Sequence, residues 1–319
     1  MSTPPTSSPP PASASYKEGT STTLLLALSG PSCSGKTTIA RLLKSMLGPH
    51  AVILHEDDFY KPDGEIPLVD IKRQQREESG ANGSGKKDDE ARITAGEDKS
   101  EEQSLVQDWD SAGALDIPKL VEALRNIKQN GFVNRTWNSK EDQNDVKEVP
   151  IDPSLVDYWR TRLRQALGLK EGAEADKDDK SQDTSVKVVI VDGFLLFSED
   201  LAAARDLFDI KLLLRANYET VKTRREARRG YVTIEGFWED PEGYVDAIMW
   251  PNYVRDHAFL FKDGNVEGEL DEAVCKDLRI EGIPTESVSN GPNYKPVTIS
   301  EALQKIYEEF CRERGVVAG

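Results

Sequence analysis

The chain has 319 residues and a formal net charge of -16, with 57 Asp and Glu against 41 Lys and Arg. So acidic a balance argues against a general nucleic-acid binder, because backbone phosphates would be repelled, although a local Lys/Arg cluster can still hold a nucleotide. Cys33, Cys275 and Cys311 lack metal-ligand spacing and are odd in number, which argues against a disulfide framework and for a reducing compartment. No apolar run reaches the length of a membrane helix. The expectation is a cytoplasmic chain, with nuclear entry left open, and with no membrane or nucleic-acid partner.

Residues 1–21 are rich in Pro, Ser and Thr and are expected to be a disordered tail, leaving 22–319 as one domain. No Arg precedes Arg41, which argues against a mitochondrial presequence. An apolar run at 24–28 has the length of a buried strand. It leads into Gly30-Pro31-Ser32-Cys33-Ser34-Gly35-Lys36-Thr37 and then Thr38. Ile39, Leu42, Leu43, Met46 and Leu47 follow at helical spacing, up to a stop at Gly48-Pro49. The string fits G-x-x-x-x-G-K-[ST]. Its glycines let backbone N–H groups turn inward around a phosphate chain, Lys36 would reach the terminal phosphates, and Thr37 would offer its hydroxyl to Mg²⁺. Strand, glycine loop and helix N-terminus in that order make an anion site, which a chance glycine turn would not.

A second strand at 52–54 ends in His55-Glu56-Asp57-Asp58-Phe59-Tyr60. Ligands of open α/β sheets bind beyond the carboxyl ends of strands, so Asp57 or Asp58 can take the proton of an attacking hydroxyl. Away from a phosphate loop the same pair would read as a turn or a helix cap. His50, His55 and His257 form no evident catalytic set. Residues from about 71 to 102 are dense in charge, Gly and Ser and are expected to be a disordered insertion, with order resuming near Val106. Trp109-Asp110 sets a ring that can stack on a base beside an acid that can bind ribose hydroxyls, although the default place of a Trp is the core. Asp116 can cap a helix carrying Ile117, Leu120, Val121 and Leu124. Val156, Trp159, Leu163 and Leu167 mark another helix, and a second charged insertion spans about 170–185.

The apolar run at 188–191 ends at Asp192-Gly193, where an acid can hold Mg²⁺ through its water shell, or where a plain turn can end a strand. A further strand is expected at 210–214. Asn217 can cap the next helix, which carries Lys222, Arg224, Arg225, Arg228 and Arg229. On such a helix Arg224 and Arg228 share a face, with Arg225 roughly 100° away. One set could close over ATP phosphates and the other could touch the acceptor, as a lid hinged at Gly230; a solvated basic helix is the alternative. Ile299, Leu303, Ile306, Tyr307 and Phe310 mark a last amphipathic helix. Strands apolar throughout, alternating with helices, predict an α/β fold with a parallel sheet covered on both faces.

Taken together, GPSCSGKTT, HEDDFYKP, QDWDSAGALD, VDGFLLF, TRREARRGY and DPEGYVDAIMWPNY resemble the nicotinamide riboside kinases, within the uridine-kinase-like group of P-loop kinases. The resemblance runs in order over most of the chain and fails over both charged insertions. It implies a P-loop NTPase fold with a five-stranded parallel sheet of order 2-3-1-4-5, flanked by helices, with an Arg-rich lid. It implies ATP and Mg²⁺, a nucleoside acceptor, and no nucleic acid. Asp57 would be the base for the ribose 5′-hydroxyl. Gly30, Ser32, Ser34, Gly35, Lys36, Thr37, Thr38, Arg224 and Arg228 would serve ATP, and Thr37 and Asp192 the metal. Asp110 and Arg225 would hold the ribose hydroxyls, and Trp109 and Tyr231 would sandwich the pyridine ring. The family often has Glu where this chain has Asp192 and Tyr where it has Trp109, and the spacing before Tyr231 is one residue longer. A cationic pyridinium suits aromatic faces, which attract cations by about 0.5–2 kcal/mol. The alternatives are a uridine/cytidine kinase and a non-catalytic P-loop protein that senses nucleotides.

Overall fold

A computed structural model describes residues 23–78, 105–131, 139, 151–169, 186–228, 230–233, 236–284 and 299–318. The elements, in chain order, are β1 (Leu24–Ser29), α1 (Lys36–Leu47), β2 (Ala51–His55), a 3₁₀ turn (Glu56–Phe59), β3 (Leu68–Asp70), α2 (Ile71–Glu78) and β4 (Leu105–Gln107). Then come α3 (Ile117–Asn130), α4 (Pro153–Ala166), β5 (Val188–Asp192), α5 (Ala202–Arg205), β6 (Ile210–Arg215), α6 (Tyr218–Glu226), β7 (Tyr231–Val232) and β8 (Phe237–Trp238). A π-helical turn (Val245–Met249) runs into α7 (Trp250–His257), followed by α8 (Glu272–Leu278), β9 (Ile280–Pro284) and α9 (Ile299–Arg314). Among the described residues no helix is long and apolar enough to cross a membrane.

Five strands form one parallel sheet in the order β2-β5-β1-β6-β9. Counted along the chain this is the expected 2-3-1-4-5. Successive strand residues point to opposite faces. Leu25, Leu54, Val189, Val191 and Leu213 pack under α3 with Leu120 and Leu124. Leu26, Leu28, Ile53, Ile190 and Leu212 pack against α1, α4 and α9 through Leu43, Leu47, Leu163, Ile306 and Phe310. Both faces are buried, so strands β1, β2 and β5 are apolar up to the polar residue that ends each, and each enclosed Leu or Ile contributes about 1.5–3 kcal/mol. The caps read from the sequence are made: Asp116 accepts from Lys119 N, and Asn217 from Thr220 N at 2.9 Å.

Three features differ from periodicity alone. The fifth strand, Ile-Glu-Gly-Ile-Pro, is interrupted by Glu, Gly and Pro, and among the described residues it pairs only with β6. The charged stretch from 71 opens as α2, because Asp70 Oδ1 accepts from Lys72 N and Arg73 N and Ile71 packs with Tyr244, Val245 and Ile248. The rest of that stretch, the expected tail 1–21 and the stretch 170–185 lie outside the described residues. The basic helix ends at Glu226, so Arg228 lies in the bend beyond it.

Register is what assembles the site. Leu28 and His55 both stand opposite Asp192 in neighbouring strand pairs. The ends of β1, β2 and β5 therefore form one row, with the phosphate loop, Glu56-Asp57 and Gly193 extending from it.

Candidate active site

The loop leaves β1 over β6. A Cβ on Gly30 would lie 2.1 Å from Leu214 O, and φ there is +145, so only glycine fits. Cys33 and Gly35 are also left-handed, with φ of 61 and 100, which turns successive amides of the loop. Lys36 is buried, and its Nζ donates to Gly30 O at 3.0 Å and Pro31 O at 2.9 Å. Ser34 is buried within the loop, and Thr38 follows in the first turn of α1. Thr37 Oγ1 donates to Asp192 Oδ2 at 2.6 Å.

Asp57 lies half-buried in the 3₁₀ turn after β2, and Asp58 accepts from Ser139 Oγ at 2.8 Å. Asp192 is buried, with His55 Nδ1 3.3 Å from its Oδ2. Burial pushes its carboxyl up, but His55, Lys36 and Thr37 together outweigh that and hold it below the usual range. Glu56 is fully enclosed and was read from the sequence only as part of the acidic turn. Its Oε2 accepts from Phe194 N at 2.6 Å and Leu195 N at 3.1 Å, while Oε1 has no hydrogen-bond partner among the described residues. Burial pushes Glu56 up to about 7. Gly193 is required beside it, since a Cβ there would lie 2.6 Å from Glu56 Cβ. A hydroxyl, a buried carboxylate and a second carboxylate with an unpartnered oxygen are hard-oxygen donors, the set Mg²⁺ takes.

The opposite wall is a network of side chains. Arg225 is buried, and its Nη1 and Nη2 donate to Asp110 Oδ1 and Oδ2 at 3.2 and 3.0 Å. Nε donates to Asp240 Oδ2 at 2.6 Å, and Nη1 also donates to Ser32 Oγ in the phosphate loop at 2.8 Å. Burial raises the Asp110 carboxyl and the Arg225 guanidinium opposes the rise. Arg224 Nη1 donates to Cys33 O at 3.0 Å, and Arg228 Nη1 lies 4.0 Å from Cys33 Sγ. Arg224 and, from the bend beyond the helix, Arg228 turn toward Cys33 of the loop, while Arg225 holds Asp110 and also reaches Ser32. Gly230 is a tight contact, since a Cβ there would meet the Phe237 ring at 2.4 Å and Trp238 O at 2.5 Å.

Trp109 is buried, with ring centroids 5.2 Å from Tyr60 and 5.9 Å from Trp238. Tyr231 lies beneath the guanidiniums of Arg225 and Arg228, at 4.6 and 4.2 Å. The two expected stacking residues therefore stand in different surroundings, one in an aromatic cluster and the other under cations. Sequence reading missed Tyr60, Trp238 and Asp240, which also accepts from Trp238 Nε1 at 2.8 Å. The only sequence signal for Tyr60 and Asp240 is their place in HEDDFYKP and DPEGY. A small cleft lined by Pro31, Ser32, Asp110, Phe194 and Leu195 joins the two walls.

A phosphate loop, an acid after the neighbouring strand and an acid–arginine pair across a cleft, on a five-stranded parallel sheet, define a P-loop kinase. No family model matches the chain. The nicotinamide riboside kinase of Schizosaccharomyces pombe is 32% identical over 268 residues, which is 84% of this chain and 91% of that protein. The nicotinamide riboside kinase of Saccharomyces cerevisiae is 36% identical over 80% of this chain and 86% of its own, and human nicotinamide riboside kinase 1 is 23% identical over 73% and 76%. The chain belongs to the nicotinamide riboside kinase family.

Proposed function

We propose that the chain transfers the γ-phosphoryl group of ATP to the 5′-hydroxyl of nicotinamide riboside, giving the mononucleotide and ADP in NAD biosynthesis. Kinship at 32–36% identity over four-fifths of the chain supports the activity. The observation that carries the residue assignment is Arg225, whose one guanidinium joins Ser32 of the phosphate loop to Asp110. Phosphoryl transfer needs chiefly that donor and acceptor be positioned and charge neutralised. Gly30, Ser32, Ser34, Gly35, Lys36, Thr37 and Thr38 cradle the ATP phosphates, with Arg224 and Arg228 closing from the bend after α6. Thr37 and Asp192 would hold Mg²⁺, which would supply charge neutralisation at the transferring group. Asp57 takes the 5′-hydroxyl proton. Asp110 and Arg225 hold the ribose hydroxyls, and Trp109 and Tyr231 bound the ring site.

The ring site separates this reading from a uridine/cytidine kinase. Aromatic faces and the carboxylates of Asp110 and Asp240 attract a cationic pyridinium, whereas a neutral uracil needs donors and acceptors along its edge. Nicotinic acid riboside shares the pyridinium and is a second substrate on this reading. The three free thiols accord with the reducing cytoplasm. A nucleoside panel with ATP and product identification tests the proposal. The expected result is turnover of nicotinamide riboside far above uridine or cytidine, and the reverse order overturns it.

A further inference from the structure

The Trp250-Pro251-Asn252-Tyr253 segment at the start of α7 carries no role assigned above; its Tyr253 lines the cleft, and the segment reaches the loop that carries Trp109 and Asp110. Asn252 is 3% exposed. Its Nδ2 donates to Asp108 Oδ1 at 2.9 Å and Oδ2 at 3.1 Å, and to the backbone oxygen of Asp110 at 3.3 Å. Arg255 Nη1 donates to Asn252 Oδ1 at 2.8 Å, which fixes the amide with its N–H groups toward the acids. Asp108 Oδ1 in turn accepts from Asp110 N at 3.2 Å, closing the turn that aims Asp110 at Arg225. Trp109 N donates to Tyr244 Oη at 3.0 Å, so consecutive residues of the loop are held from the π-turn region and from α7.

We propose that Asn252 is a positioning residue for riboside recognition, setting the 108–110 turn so that Asp110 meets Arg225 and the ribose hydroxyls. The inference rests on reading Asp110 as the ribose acid. The position calls for an amide. Leu would leave two buried acidic residues short of a donor, and Asp would set a carboxylate against the carboxylate of Asp108. No bond from Asn252 goes to residues 30–38 among the contacts described, so it meets the ATP side only at second hand, through Asp110 and Arg225.

Steady-state kinetics on the full chain test this, with KM for riboside and for ATP measured separately. Asn252→Asp is expected to raise riboside KM by about tenfold or more and to leave ATP KM within about twofold. The exchange Asn252→Asp with Asp108→Asn restores one donor facing one carboxylate. It is expected to bring riboside KM back to within about threefold of wild type. A merely structural role would move both KM values together, or would let the exchange recover the melting temperature without recovering riboside KM; either result overturns the inference. Should Asn252→Asp fail to fold, Asn252→Ser carries the same KM comparison. Asp110→Asn is run alongside. If it raises riboside KM and Asn252→Asp does not, the positioning role alone falls; if it leaves riboside KM unchanged, the ribose-acid reading falls and the positioning role with it.

Discussion

The two walls of the cleft are built by different means. On the phosphate side, Gly30, Asp57 and Asp192 stand within two residues of strand ends, and parallel register brings those ends into one row. On the riboside side, Asp110, Arg225, Asp240 and Asn252 come from a loop, α6, the turn after β8 and α7, joined by bonds in which side chains take part. A side chain lost from the first wall leaves the main-chain frame standing. One lost from the second leaves a buried ionic group short of a partner, which costs about 3–5 kcal/mol where a fully enclosed pair is broken.

The contrast breaks most visibly at Asp57. Asp57→Asn is expected to lower kcat by about 10²- to 10⁴-fold while ATP binding, followed by calorimetry, persists. If transfer stays near wild type, Asp57 is not the base. On the other wall, Asp240→Ala strips Arg225 Nε and Trp238 Nε1 of their acceptor. A fall of about 100-fold in kcat/KM for riboside is expected, equivalent to about 2.7 kcal/mol, with a smaller rise in ATP KM passed on through the bond from Arg225 to Ser32 Oγ. Equal losses for both substrates would erase the distinction between the walls.

Gly193→Ala probes the seam between β2 and β5. The added methyl would overlap Glu56 Cβ and Oε2, both at 2.6 Å, and should cost about 1–3 kcal/mol of stability by chemical denaturation. Glu56→Gly in the same chain should be less harmful than in wild type, because it removes the Cβ, Cδ and Oε2 that the methyl would meet; strict additivity would mean the clash is not the cause.

The smallest effect is a pH slope. Glu56 titrates at about 7 in the fold, against 4.5 unperturbed. Native protein thus keeps a proton that unfolded chains release, and this group's contribution to stability falls as pH rises from 4.5 to 7. His257, enclosed in α7 and depressed to about 4 from 6.5, acts oppositely, and stability is lost as pH falls from 6.5 to 4. Each slope is at most about 1.4 kcal/mol per pH unit. Glu56→Gln should remove the first slope, so that its melting temperature gains on wild type progressively between pH 4.5 and 7. A constant gap would show that Glu56 does not titrate there.

How far the sequence carried depends on the same division. The loop string, the apolar runs before it and before Asp192, and the caps Asp116 and Asn217 were legible because each is a local pattern with a local cause. β9 was not, since Ile280 to Pro284 carries a Glu, a Gly and a Pro in place of an apolar run. Glu56 read as one acid among 57 Asp and Glu, and nothing in its neighbours announces that Phe194 and Leu195, 138 and 139 residues away, close over it. Asn252 was hidden for the same reason, since a pairing across 144 residues leaves no period, and Asp240 because its pairing with Arg225, 15 residues away, crosses a change of element that no single period describes. Trp109 shows a milder failure. Its aromatic character was read correctly, but Tyr60 and Trp238 surround it in the structure, while Tyr231 lies under arginines.

Arg225 has a consequence of a thermodynamic kind. Its Nη1 reaches both Ser32 Oγ and Asp110 Oδ1, so a molecule that re-aims the guanidinium at one of them changes the energy of the other. Linkage makes such an effect reciprocal. Whatever factor a bound donor nucleotide applies to the acceptor's dissociation constant, the acceptor must apply to the donor's. A single side chain thereby makes the two affinities interdependent, and the order in which the substrates arrive leaves the free energy of the ternary complex unchanged.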